Sequence, residues 1–307
     1  MKSALSSIQS QLAEFVAIRH DLHAHPELGL AEQRTSDLIA EKLSQWGYQV
    51  TRGLAGTGLV GQLQRGCGAK RLGLRADMDA LPIQESTGLP YASRHPGIMH
   101  ACGHDGHTAM LLAAAWQLAH HTHFDGTLNL IFQPAEEHPG GARLMIEDGL
   151  FERFPCDRVY ALHNWPSLPA GTIATRAGAI MGAADKFQIT LRGRGGHAAV
   201  PHDTHDSLLA AAALVQQLNT IIARNVPASA NAVLSVTQIH GGHAHNVIPA
   251  EVMVGGTVRS FDPAVQDRIE QRIRQILAGI EATFEVKAEL DYDRYYPATI
   301  NDAQAAL

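Results

Sequence analysis

The segment His100-Ala-Cys-Gly-His-Asp-Gly-His107 concentrates side chains that do chemistry near neutral pH. A thiol at Cys102 and an imidazole at His104 stand two residues apart around a glycine. In an extended turn that spacing can aim both at one point. Thiolate and imidazole are ligands of choice for zinc and serve related divalent metals. Asp105 and His107 lie where the following helix begins. The same residues also admit a glycine-rich helix entry with incidental histidines, or a cysteine nucleophile with a nearby histidine. A second cluster, Gln133-Pro-Ala-Glu-Glu137, ends an apolar strand. Two adjacent carboxylates repel unless a cation or proton offsets them. A metal ligand beside a general base would use both, whereas a helix start with acids at its positive dipole end is the plainer alternative. The cluster falls about 30 residues after the Cys-His pair, at another strand terminus. Asp77 and Asp79 end a strand that begins at Arg71. His163 ends one that begins at Arg158 and is followed by Asn164-Trp165-Pro166. A lone strand-end histidine is usually structural, but active sites of open α/β sheets lie at the carboxyl ends of strands. Four polar strand ends in one sheet point to a site.

The elements that must position these residues follow from hydrophobic period and punctuation. Ile8, Leu12, Phe15, Val16 and Ile18 predict a helix that runs into Arg19–His23 and is interrupted at Pro26. A second helix is expected over Ala31–Trp46, ending at Gly47. Gly58–Leu63, Arg71–Ala76, Thr127–Gln133 and Arg158–His163 read as strands, and Thr108–Leu118 as a buried helix. Strands alternating with helices over residues 1–170 argue for an α/β sheet sandwiched by helices. From about Gly178 the style changes. Strands Lys186–Arg192, Ala232–His240, Glu251–Arg259 and Thr283–Leu290 alternate with helices Asp206–Arg224 and Pro263–Ala282. The order βαββαβ over Ala184–Asp291 is the ferredoxin-like pattern, read as a domain inserted into the first. The expected division is residues 1–177, an insertion at 178–291, and a return to the first domain at 292–307.

Composition narrows the function. Apolar residues make up 45% of the 307 residues and charged residues 18%, which suits a globular chain. A net charge of −6 gives no electrostatic reason to expect nucleic acid. No apolar run reaches the roughly 18–20 residues of a membrane helix, and the N-terminus lacks the apolar core of a secretory signal. Three cysteines, Cys67, Cys102 and Cys156, do not make a disulfide framework and suit a reducing, cytoplasmic setting. Histidine is the anomaly, at 18 against 24 Lys plus Arg. His120, His121 and His123 read as a helix end, and His20, His23 and His25 as surface or supporting residues. His202 and His205 are read as lid or interface residues. His240, His243 and His245 flank a glycine turn beside Asn246.

The motifs RADMDALP, MHACGHDGHTAML, FQPAEE, ALHNWP, GRGGHAAVPH and a Gly-Gly followed by Asn246-Val-Ile-Pro occur in this order over essentially the whole chain. They resemble the dinuclear metallo-amidohydrolases related to aminoacylase and carboxypeptidase G. The resemblance is to the branch of hippurate hydrolases, bacterial N-acyl-amino-acid amidohydrolases and plant auxin-conjugate hydrolases. It implies an α/β catalytic domain with a mixed sheet, and a lid domain that carries the contact of a homodimer. By position, Cys102, His104, Glu137 and His163 match the metal ligands and Glu136 the general base. Asp79 matches an acid that orients the metal site, while position 77, a histidine ligand in sister branches, is aspartate here. His197 matches a lid histidine that reaches the neighbouring subunit's site and steadies the oxyanion. Asn246 and Arg259 match residues near the substrate carboxylate. The implied reaction is hydrolysis of an N-acyl amino acid, hippurate-like, with two divalent ions per subunit, Mn²⁺ or Zn²⁺. Relative to that family the chain stops at Leu307, before a catalytic-domain segment carrying a last histidine ligand. The accompanying expectations are a weak second metal site and, as the alternative to an active enzyme, a weak or inactive metal-binding homologue.

Overall fold

The structure is a computed structural model that describes residues 4–306. It divides into two compact units, Met1–Thr172 and Ile173–Leu307.

In the first unit the opening helical stretch is two helices, α1 (Ala4–Gln9) and α2 (Leu12–Ala24), followed by α3 (Gln33–Gln45). Strands β1 (Gln49–Leu54), β2 (Gly58–Arg65) and β3 (Arg71–Asp77) precede α4 (His104–His121). Then come β4 (Gly126–Gln133), α5 (Gly141–Glu147), α6 (Leu150–Arg153) and β5 (Arg158–Ala161). The sheet order is β1-β2-β4-β3-β5. β1/β2 and β2/β4 are antiparallel, while β3 runs parallel to both β4 and β5. The sheet is therefore mixed, and the carboxyl ends of β3, β4 and β5 share one edge. Along β4, Leu128, Leu130 and Phe132 face a core shared with α2, α3 and α4, through Phe15, Leu22, Ile39, Leu43 and Leu112. Ile131 faces the other way, into a smaller cluster with Leu54, Val60, Met145, Leu150 and Phe154. Helices thus cover both faces, and each fully buried Leu, Ile or Phe stabilises by about 1.5–3 kcal/mol.

Strand β1 was not expected, α3 is shorter than the expected Ala31–Trp46, and two elements beside the candidate site also differ from the sequence expectation. α4 begins at His104 rather than Thr108, because Gly103 takes a left-handed φ of 88° and its carbonyl accepts from the amides of Gly106 and His107. β5 ends at Ala161, so His163 stands two residues past the strand instead of closing it.

The second unit contains β6 (Gly178–Met181), β7 (Ala183–Arg192), β8 (Gly196–His197), α7 (Ser207–Asn225), β9 (Ala232–His240), β10 (Val247–Ile248), β11 (Glu251–Ser260), α8 (Pro263–Phe284), β12 (Lys287–Tyr296) and β13 (Thr299–Asn301). Its main sheet is antiparallel in the order β12-β7-β11-β9. That is the ferredoxin-like βαββαβ arrangement expected from the pattern. Asp206 and Asp262 cap α7 and α8 through their carboxylates, the second with a proline at the first turn, an arrangement that satisfies otherwise orphaned amides. Both helices pack on one sheet face, where Ile189, Leu191, Leu214, Val254, Ile273 and Ile280 are buried.

The strand expected over Thr283–Leu290 is displaced. Thr283 and Phe284 remain helical, and the strand begins at Lys287. Tyr292–Tyr296, expected to return to the first domain, continue β12 alongside β7, with a register shift between Arg294 and Tyr296. The reason is local: alternation persists past Asp291, and the Tyr292 hydroxyl donates to the buried Asp185 at 2.6 Å. Residues 299–301 then pair with β6. Among the described residues no helix is long and apolar enough to cross a membrane.

Candidate metal centre

The shared edge of β3, β4 and β5 collects the chemistry of the first unit. β3 delivers Asp77 and, two residues on, Asp79; both are fully buried. β4 delivers the Pro134–Glu137 turn, and the segment after β5 delivers His163. The amino end of α4 delivers Cys102 and His104.

Asp79 organises two of these pieces. Its Oδ1 accepts from the Glu136 amide at 2.9 Å and its Oδ2 from the Glu137 amide at 3.0 Å. Oδ1 also lies 3.2 Å from His104 Nδ1. Glu32, which the sequence reading did not single out, does the same one residue earlier. It is fully buried and accepts from the Ala135 amide at 2.7 Å and the Thr57 hydroxyl at 2.6 Å. Two buried carboxylates therefore hold three successive amides of the Pro-Ala-Glu-Glu turn, in which Ala135 has a left-handed φ of 49°. Burial pushes the Glu32 carboxyl upward against the lowering effect of Thr57 and Ala135.

Cys102 Sγ lies 3.4 Å from His163 Nε2, and His104 Nε2 lies 4.0 Å from Glu136 Oε2. Donor atoms of Cys102, His104 and His163, and those of His104, Glu136 and Glu137, fall within 4.8 Å of one another. The two groups share His104. Its Nδ1 is occupied by Asp79, whereas its buried Nε2 has no hydrogen-bond partner among the described residues. His163 repeats the pattern, with Nδ1 2.7 Å from the Asn164 carbonyl and Nε2 turned to Cys102. Metal-ligating histidines characteristically tie one nitrogen to a carboxylate or carbonyl and keep the other for the ion.

The electrostatics agree. Burial pushes the His104 imidazolium down, but Asp79, Cys102 and Asp77 outweigh it and hold its pKa at about 11. A field that retains a proton on a fully buried ring is one that a divalent cation would satisfy. Burial, then the charges of Glu137 and Asp77, push the Glu136 carboxyl up, toward the range useful for a general base. At Cys102 the His104 contact favours thiolate, but burial and Glu137 leave the thiol above its ordinary pKa. A nucleophilic cysteine needs the opposite shift. The donor set present thus fits a metal ion.

Asp77 and His107 are drawn into the same place. His107 Nδ1 lies 2.7 Å from Asp77 Oδ1, and Arg75 donates to Asp77 Oδ2 at 2.7 Å. Burial pushes the Asp77 carboxyl up, but His107 and Arg75 prevail and hold it well below the usual range.

In the second unit, β8 and β10 pair so that His197 opposes Val247, and the Ala198 amide donates to the Asn246 carbonyl at 2.9 Å. His197 and Asn246 are thereby neighbours. Arg259 stands apart from them on β11, opposite Ala184 and Val233. It lines an open cleft of about 520 Å³ on the helix-free sheet face, with Lys186, Thr257, Asp291 and Asp293.

A mixed α/β unit with a thiol–imidazole–carboxylate cluster at its strand ends, joined to a ferredoxin-like unit, defines a metal-dependent hydrolase. Comparison with known proteins agrees. The profile of peptidase family M20/M25/M40 matches residues 73–307. A hippurate hydrolase of Campylobacter jejuni is 44% identical over 292 residues, covering 95% of this chain and 76% of that protein. An N-acetyl-L-cysteine deacetylase of Bacillus subtilis is 42% identical over 299 residues, covering 97% and 71%. Among solved structures, a dinuclear metal-binding peptidase of the M20 family from Bacillus subtilis superposes with a TM-score of 0.81. It is 34% identical and covers 96% of this chain and 77% of that one. The chain belongs to peptidase family M20/M25/M40, and within it to the amidohydrolases.

Proposed function

We propose that this chain hydrolyses the amide bond of N-acyl amino acids, hippurate-like, to a carboxylic acid and an amino acid. The observation that carries this reading is the convergence of two imidazole Nε2 atoms, one thiol and two adjacent carboxylates at one sheet edge. Cys102, His104, Glu137 and His163 are assigned as the residues that hold two divalent ions, Mn²⁺ or Zn²⁺. Bound there, the ions would supply Lewis acidity, lowering the pKa of a water and polarising the scissile carbonyl. Glu136 takes the proton of the attacking water and returns it to the leaving amine. Its upward-shifted carboxyl supports both halves of that role. Asp79 fixes the His104 ring and the amides of both glutamates, so that base and ligand keep their separate directions. His197 donates to the developing oxyanion, reaching the site of a neighbouring subunit in a homodimer built on the second unit. Asn246 and Arg259 receive the substrate carboxylate; the forked, permanently cationic guanidinium suits that group. Residues 178–291 act as the lid.

The test is release of glycine from hippurate by metal-loaded protein, with Glu136→Gln beside it. The variant is expected to keep its metal and lose turnover by about 10²–10⁴. Loss of metal with Glu136→Gln would exchange the roles of Glu136 and Glu137. A metal-loaded parent chain that releases no amino acid from any N-acyl amino acid would end this reading.

A further inference from the structure

Asp77, His104 and His107 also offer donor atoms within 4.8 Å of one another, all three buried, and a further ion could be drawn there. The hydrogen bonds argue for a different use. Both carboxylate oxygens of Asp77 are taken, one by His107 and one by the Arg75 guanidinium. Its carbonyl accepts from the Thr108 hydroxyl at 2.9 Å. Both nitrogens of His107 are taken as well. Nδ1 is on Asp77, and Nε2 faces two atoms of Asn164: the backbone amide, which donates to it at 3.0 Å, and the carboxamide Oδ1 position at 2.5 Å. The backbone N–H can only donate, so Nε2 accepts and the His107 proton sits on Nδ1, donating to Asp77; the Asn164 carboxamide then turns its NH2 rather than its oxygen to Nε2.

The chain does not stop at Asn164. The carbonyl of the same residue lies 2.7 Å from His163 Nδ1. It accepts that ring's proton and leaves Nε2 unprotonated toward Cys102. Residues 163 and 164 lie on an exposed segment, just beyond a strand of four exposed residues. The buried imidazole of His107 is therefore the anchor that ties this segment to the interior. Gly103, at φ 88°, closes the other side, where a Cβ would come within 2.5 Å of the Asn164 carboxamide.

We propose that Asp77 and His107 are positioning residues that act through the backbone of Asn164 to fix the tautomer and direction of His163. The proposal rests on the reading of His163 as a metal ligand. It can be tested separately, because its primary readouts need neither metal nor turnover. Imidazole ¹⁵N spectra of the parent chain should show His107 protonated at Nδ1 and accepting at Nε2, and His163 protonated at Nδ1. Added Zn²⁺ should shift His163 Nε2 and leave both His107 nitrogens in place. The Asn164 amide should exchange with solvent at least about 10-fold faster in His107→Ala than in the parent, since that variant removes its acceptor. Asp77→Asn and His107→Ala should each weaken zinc binding about 10-fold or more. The double variant should lose no more than either alone, and neither should add to the loss in a His163→Ala background. His107→Gln keeps a polar group of similar size, so exchange can still be read if His107→Ala does not fold, and the parent spectra need no variant. Zinc-induced shifts at His107, or an Asn164 amide that exchanges equally fast with and without the imidazole, would overturn the proposal. A parent chain that binds no zinc would defeat the proposed function, while the tautomer and exchange measurements would still decide this inference.

Discussion

His104 and His107 sit one turn apart on the same helix, yet their nitrogens are used in opposite ways. His104 keeps a buried Nε2 with no hydrogen-bond partner among the described residues, facing the thiol and carboxylates, whereas both His107 nitrogens are engaged. Residue type alone could not separate them, since both are histidines at the start of α4. At Cys102, burial and Glu137 leave the thiol above its ordinary pKa, which disfavours a nucleophile and suits the proposed ligand role, in which a cation would draw it to thiolate. Chelation should therefore abolish hydrolysis and Mn²⁺ or Zn²⁺ should restore it. A covalent acyl adduct trapped on Cys102 would contradict that assignment. His100 makes a separate prediction. It is 4% exposed, neither nitrogen has a partner among the described residues, and burial pushes its pKa down from 6.5 to about 4. The unfolded chain then binds a proton that the folded chain refuses. The contribution of His100 to stability is full above pH 6.5 and is lost as pH falls toward 4, by on the order of 3 kcal/mol. Urea unfolding of chelator-treated protein should show a shallower decline over that window in His100→Leu than in the parent. An unchanged slope would assign the decline to other groups.

At the scale of elements, the site depends on backbone that only particular residues can adopt. Gly103 permits the early start of α4 and the close approach of Asn164. Gly103→Ala should cost about 1–2 kcal/mol for the left-handed backbone and should loosen zinc binding, since its Cβ would displace Asn164. Gly106, one turn into the same helix, is the control. A Cβ there meets Arg19 Nε at 3.9 Å and nothing closer, so Gly106→Ala should be neutral or stabilising by up to about 1 kcal/mol. Equal losses in the two variants, by urea unfolding and zinc titration, would remove Gly103 from the argument. The Pro134–Glu137 turn relies instead on carboxylates. Glu32 precedes α3 and Asp79 follows β3, and together they satisfy three amides that the turn leaves without backbone partners.

At the scale of the whole molecule, the two units carry complementary parts of the proposed chemistry. The residues assigned as metal ligands and base lie in the first, and those assigned to the oxyanion and the substrate carboxylate lie in the second. If His197 serves the neighbouring subunit, an inactive Glu136→Gln protein mixed with an inactive His197→Ala protein should regain activity in hybrid dimers. Random exchange of a two-fold dimer would restore about a quarter of the sites. No recovery, with subunit exchange demonstrated by mass spectrometry, would mean that each chain's His197 serves its own site.

The two-part plan and the candidate residues were legible along the chain, and the resemblance supplied their expected roles. Cys102, His104, Glu136, Glu137 and His163 were legible as candidates because thiol, imidazole and paired carboxylates cluster in short motifs beside apolar segments. The ferredoxin-like unit was legible because Val265, Ile269, Ile273 and Ile280 repeat at helical period and the flanking strands alternate. Order along the chain carries that kind of information. Contacts between distant segments were not legible in this way. Glu32 lies 103 residues from the amide it accepts from, and as one acid in a polar stretch it gives no local sign of its burial. Asp77, His107 and Asn164 are spread over 88 residues of sequence, and their hydrogen-bond chain forms only when β3, β5 and α4 bring them together. The extent of β12 was decided the same way. The hydroxyl of Tyr292 finds Asp185 across the sheet, so the strand runs to Tyr296 before Pro297 withdraws the next donor. Pairing partners, unlike period, cannot be read from one segment alone.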